Sequence, residues 1–169
     1  MVKVLITGGA GYLGSTLSQE LLDRGYKVTA LDNLLYKQTS LLHLCSNKNF
    51  NFLQQDVTDF DLLEETIKDY DVIIPLAAIV GGPACDANKE EQVNFYQIKC
   101  IVDNLRDDQK LIMPNTNSQY GSSVDIITEE SSFNPLSHYA RTKCDAEDYI
   151  LDAGLMGGNG ICLRLATVF

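Results

Sequence analysis

Val4-Leu5-Ile6-Thr7-Gly8-Gly9-Ala10-Gly11-Tyr12-Leu13-Gly14 decides how this chain is read. The apolar, branched run at its head predicts a buried strand over Lys3–Thr7. Glycines follow at spacing G-x-x-G-x-x-G, and an amphipathic stretch predicts a helix over Tyr12–Arg24. A bare glycine pattern of this kind is also a turn or a small-residue packing seam. Between a strand and a helix it reads as a dinucleotide-phosphate loop. Among Gly8, Gly11 and Gly14, one allows the tight turn, one lets a pyrophosphate approach the backbone, and one lets helix pack on strand. The free N–H groups at the helix start, those of Tyr12 and Leu13, then face the phosphates.

Outward from this run, strand and helix patterns alternate. Tyr26–Asp32, Asn51–Gln55, Asp71–Ala77, Lys110–Thr116 and Ile161–Phe169 read as strands. Asp59–Asp69, Asn88–Asp107 and Ser137–Asp152 read as helices, the first capped by Asp59 or Thr58. In the second of these, Val93, Tyr96, Cys100, Ile101 and Leu105 are expected on one face. Leu34–Lys48 is irregular, with a short helix at Leu41–Cys45. Asn117–Leu136 is a polar loop, and Gly154–Gly160 a glycine-rich turn. Such alternation predicts an α/β fold, a doubly wound parallel sheet with strand order 3-2-1-4-5-6. Ligands of such sheets bind beyond the carboxyl ends of the strands, where the order reverses.

The 169 residues suit one domain, and 45% hydrophobic with 21% charged residues is an ordinary globular balance. A net charge of −10 with no basic stripe argues against nucleic acid or an anionic membrane as partner. No apolar run approaches the ~20 residues of a membrane span. The five cysteines are odd in number and fit no metal or redox spacing, so they read as reduced thiols, no metal is expected, and the expected compartment is cytoplasmic. The chain stops at Phe169 inside an apolar run, which is read as a C-terminal truncation.

Several residues carry chemistry. Asp32 ends the second strand about 20 residues beyond the glycine run, where a carboxylate accepts from the adenosine ribose hydroxyls and repels a 2′-phosphate. NAD is therefore the expected cofactor. Asp56-Val57 closes the third strand near the expected adenine, and the small residues of Leu76-Ala77-Ala78 let a cofactor lie against the backbone. Ile79–Pro83 is a flexible loop at the site mouth. Tyr139 and Lys143, at i and i+4 of a helix, share a face. A nearby ammonium favours the phenolate, which then exchanges protons with a substrate hydroxyl or carbonyl. Thr116 or Ser118, in the turn Asn115–Gly121, can hold the reacting oxygen.

Together these residues resemble the extended short-chain dehydrogenase/reductase family, which includes NAD-dependent nucleotide-sugar epimerases, dehydratases and dehydrogenases. The likeness covers the whole chain and implies a Rossmann-type domain over residues 1–169, with a C-terminal substrate domain missing. Thr7–Gly14 looks like the family's T-G-x-x-G-x-x-G loop. Asp32-Asn33, Asp56-Val57 and Leu76-Ala77-Ala78 fall where it contacts adenosine and cofactor. Asn94 resembles a helix asparagine that supports the active-site backbone, Tyr139 and Lys143 match the catalytic pair, and the resemblance selects Thr116 over Ser118. Leu163–Phe169 looks like the strand beside the nicotinamide.

The resemblance also implies a reaction. Dehydratases of the family carry Asp-Glu after the catalytic threonine, whereas Asn117-Ser118 stand here, so dehydration is not expected. Pro114–Ser118 with Leu163–Phe169 is most similar to bacterial enzymes that oxidise C4 of GDP-linked manno-heptose, although those tend to have glycine at the Gln119 position. The expectation is an NAD-dependent dehydrogenase of a nucleotide-linked sugar in surface-polysaccharide biosynthesis. The alternatives are a 4-epimerase and a truncated, inactive NAD-binding domain. A homodimer pairing through Asn88–Asp107 and Ser137–Asp152 is expected.

Overall fold

The computed structural model describes residues 1–80, 87–122 and 126–166. Six parallel strands form one sheet: β1 (Lys3–Thr7), β2 (Lys27–Asp32), β3 (Phe50–Gln54), β4 (Val72–Pro75), β5 (Lys110–Thr116) and β6 (Gly160–Leu165). Their order is β3-β2-β1-β4-β5-β6, as the alternation predicted. Between them run α1 (Tyr12–Asp23), α2 (Phe60–Ile67), α3 (Ala87–Glu91), α4 (Gln97–Asp103) and α5 (His138–Asp152), and a 3-10 turn spans Leu42–Leu44.

Period-two alternation in the central strands supplies two cores, one on each face. Val4, Ile6, Val28, Ala30 and Ile74 pack under α1 with Leu22, Leu41 and Leu44. Leu5, Leu31, Ile73, Leu111 and Met113 pack against α2, α4 and α5, through Leu63, Ile67, Ile98, Ile101, Ala146 and Ile150.

Three expectations change. Strand β4 ends at Pro75; Leu76 keeps one bond to the Thr7 carbonyl of β1, and Ala77 and Ala78 lie beyond the strand. A proline at the strand end lacks the N–H that continued pairing needs. The helix expected over Asn88–Asp107 runs without a break from α3 through a π-turn at Gln92–Tyr96 into α4, and it ends at Asp103. Its buried stripe runs through Glu90, Val93, Asn94, Gln97, Ile98, Ile101 and Val102, while Tyr96 is 37% exposed. An apolar-periodicity rule passes over Glu90, Asn94 and Gln97 because they are polar, yet all three are buried. The last residues of the expected sixth strand, 167–169, lie outside the described residues, as do Gly81–Pro83 of the expected mouth loop.

Ile73, fully buried in the centre of the sheet, tests the core. Ile73→Ala is expected to lower the unfolding free energy by about 2–5 kcal/mol in urea titration, with the m-value unchanged.

Candidate active site

The turn from β1 into α1 is shaped by contact with neighbouring backbone. Gly8 has φ +66°, and a Cβ there would stand 2.5 Å from the Ala77 nitrogen. At Gly14 a Cβ would meet the Gly8 carbonyl oxygen at 2.6 Å. A Cβ on Gly11 would meet only the Gly8 oxygen, at 3.1 Å, so its outer side is open. Two of the three roles assigned to the glycines are thus visible: Gly8 makes the turn and Gly14 lets the helix close on it.

α1 has no side-chain cap at its N-terminus, whereas Asp59 caps α2 and Ser137 caps α5. The N–H groups of its first turn, at Tyr12 and Leu13, are therefore left for an acceptor from outside the helix. Asp32, 7% exposed, accepts from the Ala10 N–H at 3.0 Å and the Leu34 N–H at 2.8 Å, one on each oxygen. A carboxylate has about four acceptor positions, so two remain. This uncapped helix, the glycine cradle and the half-used carboxylate fit a dinucleotide.

Gly8, Gly11, Asp32, Asn33, Asp56, Val57, Leu76, Ala77 and Ala78 line one groove across the carboxyl ends of β1 to β4. Leu35, Tyr36, Gln38, Gln55 and Lys89 line it too and were not singled out from sequence, because none sits in a recognisable motif. Asp56 accepts from Asn33 Nδ2 at 2.9 Å and from the N–H and hydroxyl of Thr58 at 3.0 and 2.8 Å. Burial raises its pKa, but these hydrogen bonds and the charge of Lys89 outweigh it and hold the carboxyl below its ordinary value. Tyr12 is 65% exposed, and Gly14 and Asn94 do not line the groove.

Asn94 instead holds the segment after β4. It donates to the Ile79 carbonyl and accepts from the Ile79 N–H, each at 2.9 Å, and donates to Thr142 Oγ1 on α5 at 3.3 Å. Gln97, on the next turn of the same stripe, donates to the Ala77 carbonyl at 3.0 Å and accepts from the Thr7 hydroxyl at 2.6 Å. Sequence reasoning missed Gln97. The available signal was its spacing, one helical turn beyond Asn94.

Thr116, Tyr139 and Lys143 gather at the adjacent corner, between the end of β5 and α5. The Thr116 hydroxyl accepts from the Ser118 N–H at 3.1 Å and donates to Ser118 Oγ at 3.1 Å. Tyr139 is half-buried; burial pushes its phenol above its ordinary pKa, the nearby Thr116 hydroxyl opposes this, and the charge of Glu90 adds to it. Lys143 is 4% exposed, and burial lowers it to about 8, the thiol of Cys162 opposing. The expected lowering of the phenol by the lysine is not found: the dominant effect on both groups is loss of water.

Beneath this corner lies a buried polar hub. Glu147, 1% exposed and one turn beyond Lys143, accepts from Arg164 Nε at 2.9 Å and Nη2 at 2.6 Å. Its second oxygen accepts from Asn115 Nδ2 at 2.6 Å and Gln119 Nε2 at 3.2 Å. Asn115 in turn accepts from the Thr116 N–H at 3.0 Å. α5, β6 and the Thr116 turn are joined through one carboxylate.

A model of the NAD dependent epimerase/dehydratase family matches residues 4–169. An uncharacterized UDP-glucose epimerase of Bacillus subtilis is 30% identical over 158 residues, covering 86% of this chain and 50% of the relative. A UDP-N-acetyl-α-D-glucosaminuronate decarboxylase of Bacillus cytotoxicus is 33% identical over 131 residues, 76% of this chain and 40% of the relative. The crystal structure of UDP-glucuronic acid 4-epimerase from Bacillus cereus in complex with NAD superposes with a TM-score of 0.88 at 29% identity, covering 99% of this chain and 57% of that one. The chain spans about half the length of the curated relatives it matches.

The depressed Lys143 pKa gives a stability prediction. Between about pH 8 and its unfolded value of 10.5 the native state binds fewer protons than the unfolded chain, so stability rises with pH across that window. Below it, burial of the ammonium destabilises the fold. Lys143→Met should unfold at higher urea than the wild type at pH 7, and the difference should shrink by pH 10.

Proposed function

The chain belongs to the NAD dependent epimerase/dehydratase family, and from that premise we propose that it oxidises C4 of a nucleotide-linked sugar with NAD. The observation that carries this reading is the junction of two arrangements at one sheet edge. A dinucleotide groove over β1 to β4 adjoins the Thr116, Tyr139 and Lys143 corner after β5. Here Asp32 and Asn33 hold the adenosine ribose, Asp56 and Val57 flank the adenine, and the Tyr12 and Leu13 amides hold the pyrophosphate. Leu76–Ala78 form the floor, kept in place by Asn94 and Gln97.

NAD, when bound, supplies the hydride acceptor. The chain supplies proton transfer and placement. The Tyr139 phenol exchanges a proton with the C4 oxygen of the sugar, and the Thr116 hydroxyl hydrogen-bonds that same oxygen. Lys143 donates to the nicotinamide ribose. The residues after Thr116 are Asn117 and Ser118, both exposed, so the turn offers no carboxylic acid to protonate a leaving hydroxyl. This disfavours dehydration.

Net 4-epimerisation is the reading the relatives favour. The similar proteins named for an activity on a nucleotide sugar include UDP-glucose and UDP-glucuronate 4-epimerases. Net dehydrogenation of a GDP-linked manno-heptose, expected from the β5 and β6 segments, has weaker support, since the relatives' names carry UDP-linked sugars. The nucleotide-sugar side of the pocket is assigned to a segment beyond the 169 residues, in keeping with the chain's share of its relatives' length. Two copies pairing through α4 and α5 complete the reading.

In the whole protein, incubation with NAD and UDP-glucose or UDP-glucuronate should yield the C4 epimer without NADH accumulating. Stoichiometric NADH with a keto-sugar would assign dehydrogenation instead. Tyr139→Phe should lower turnover by about 10²–10⁴-fold while the Kd for NAD stays within about twofold. Turnover that survives this change would remove Tyr139 from the chemistry.

A further inference from the structure

The groove has an unbalanced charge. Its lining carries two carboxylates, Asp32 and Asp56, and one cation, Lys89. The chain has 13 lysines and arginines, all within the described residues, and Lys89 alone of them lines the groove. Five others are held in ion pairs elsewhere. Lys3, Lys27 and Lys48 lie at the amino ends of the strands, on the far side of the sheet from the groove. Lys143 is buried at the Tyr139 corner.

Lys89 stands on α3 and lines the same groove as Gly8 and Gly11 of the glycine turn, near enough to Asp56 for its charge to act on that carboxylate. It is exposed, and none of the ion pairs among the described residues engages it. Its neighbour Asp56 does not require it, because Asn33 and Thr58 already give that carboxylate three hydrogen bonds. A pyrophosphate brings two negative charges into a groove that already holds two. The backbone amides at the α1 start offer partial charge only. A full opposite charge is what the groove lacks, and Lys89 is the one lining side chain that carries it.

We propose that Lys89 is a pyrophosphate-binding residue: its ammonium closes over the phosphates from α3 while the α1 amides hold them from below. This rests on the reading that the groove takes NAD. It makes α3 a wall of the cofactor site and predicts that affinity depends on salt, since the lysine is exposed.

The test is binding, measured on this chain by calorimetry and by competition. Lys89→Gln should raise the Kd for NAD and for ADP-ribose by about tenfold, and Lys89→Arg should restore most of it. Adenosine, which lacks the phosphates, should compete equally well with either form. Raising NaCl from about 50 to about 500 mM should weaken NAD binding to the wild type more than to Lys89→Gln. Unchanged NAD affinity in Lys89→Gln overturns the proposal and leaves the NAD reading standing. An equal loss for adenosine overturns it too, and assigns Lys89 to the adenine side through Asp56. If the wild type binds adenosine but neither NAD nor ADP-ribose, the cofactor reading itself falls and takes this inference with it.

Discussion

The site depends on one close approach, the backbone of Gly8 against the backbone of Ala77. Only a residue without a Cβ can stand there, since the added carbon would be 2.5 Å from a peptide nitrogen. That contact presses the β1 turn onto the end of β4. Thr7 completes it: its carbonyl accepts from the Leu76 N–H at 3.0 Å, and its hydroxyl accepts from the Ala77 N–H at 3.3 Å. From the other side Asp32 takes the Ala10 N–H, so the turn is fixed to β2 as well. With the turn held between two strand ends, α1 starts at a set place and angle. Its first N–H groups have no side-chain cap within the chain and are left for an acceptor from outside the helix.

The second half of the site adds a different means to a glycine. The Thr116 turn ends on Gly121, at φ +67°, where a Cβ would run into the Asn134 carbonyl oxygen. A single buried carboxylate then joins it to its neighbours, receiving donors from β6, from the end of β5 and from the turn itself. Such a hub is costly to leave half-satisfied, because each donor would lose its partner in a region without water. Its effect is to make α5, which carries Tyr139 and Lys143, move with the strand ends beside it. Asn94 and Gln97 do the same for the segment after β4. The groove and the Thr116, Tyr139 and Lys143 corner thus share a frame of buried amides and one ion pair.

The strand order was legible because the repeating strand–helix alternation leaves few parallel topologies, and the hydrophobic runs were strong. The groove was legible where glycines and strand-end acids mark it: Gly8, Gly11, Asp32, Asp56 and Ala77 all line it. Three kinds of feature were not. Polar residues inside a buried stripe break the pattern that locates helices: Glu90 and Gln97 went unread, Asn94 was marked only by resemblance, and the predicted helix face was wrong at Tyr96 for that reason. Partners far apart in sequence, such as Asn115, Glu147 and Arg164, show no spacing that links them. Lys89 carries no motif at all, and only the folded chain brings it to the groove that Gly8 and Gly11 also line.

The lysine–tyrosine pair shows where a local rule gives way to burial. Spacing of i and i+4 puts an ammonium beside a phenol, and Coulomb attraction would then favour the phenolate. That argument assumes that both charged forms are affordable. Burial penalises each of them: it lifts the phenol and brings the lysine down to about 8. The two shifts favour the neutral forms, so in the free chain the lysine gives up its proton before the tyrosine does. Glu90, on the other flank, adds a negative charge that works against the phenolate still further. The resting state at neutral pH is therefore a neutral phenol, with a lysine whose charge is only weakly held. Any acceptor placed against Lys143 strengthens that charge, and a strengthened ammonium is what the phenolate needs. Spacing of i and i+4 alone therefore does not activate this pair, because burial acts on both groups more strongly than they act on each other.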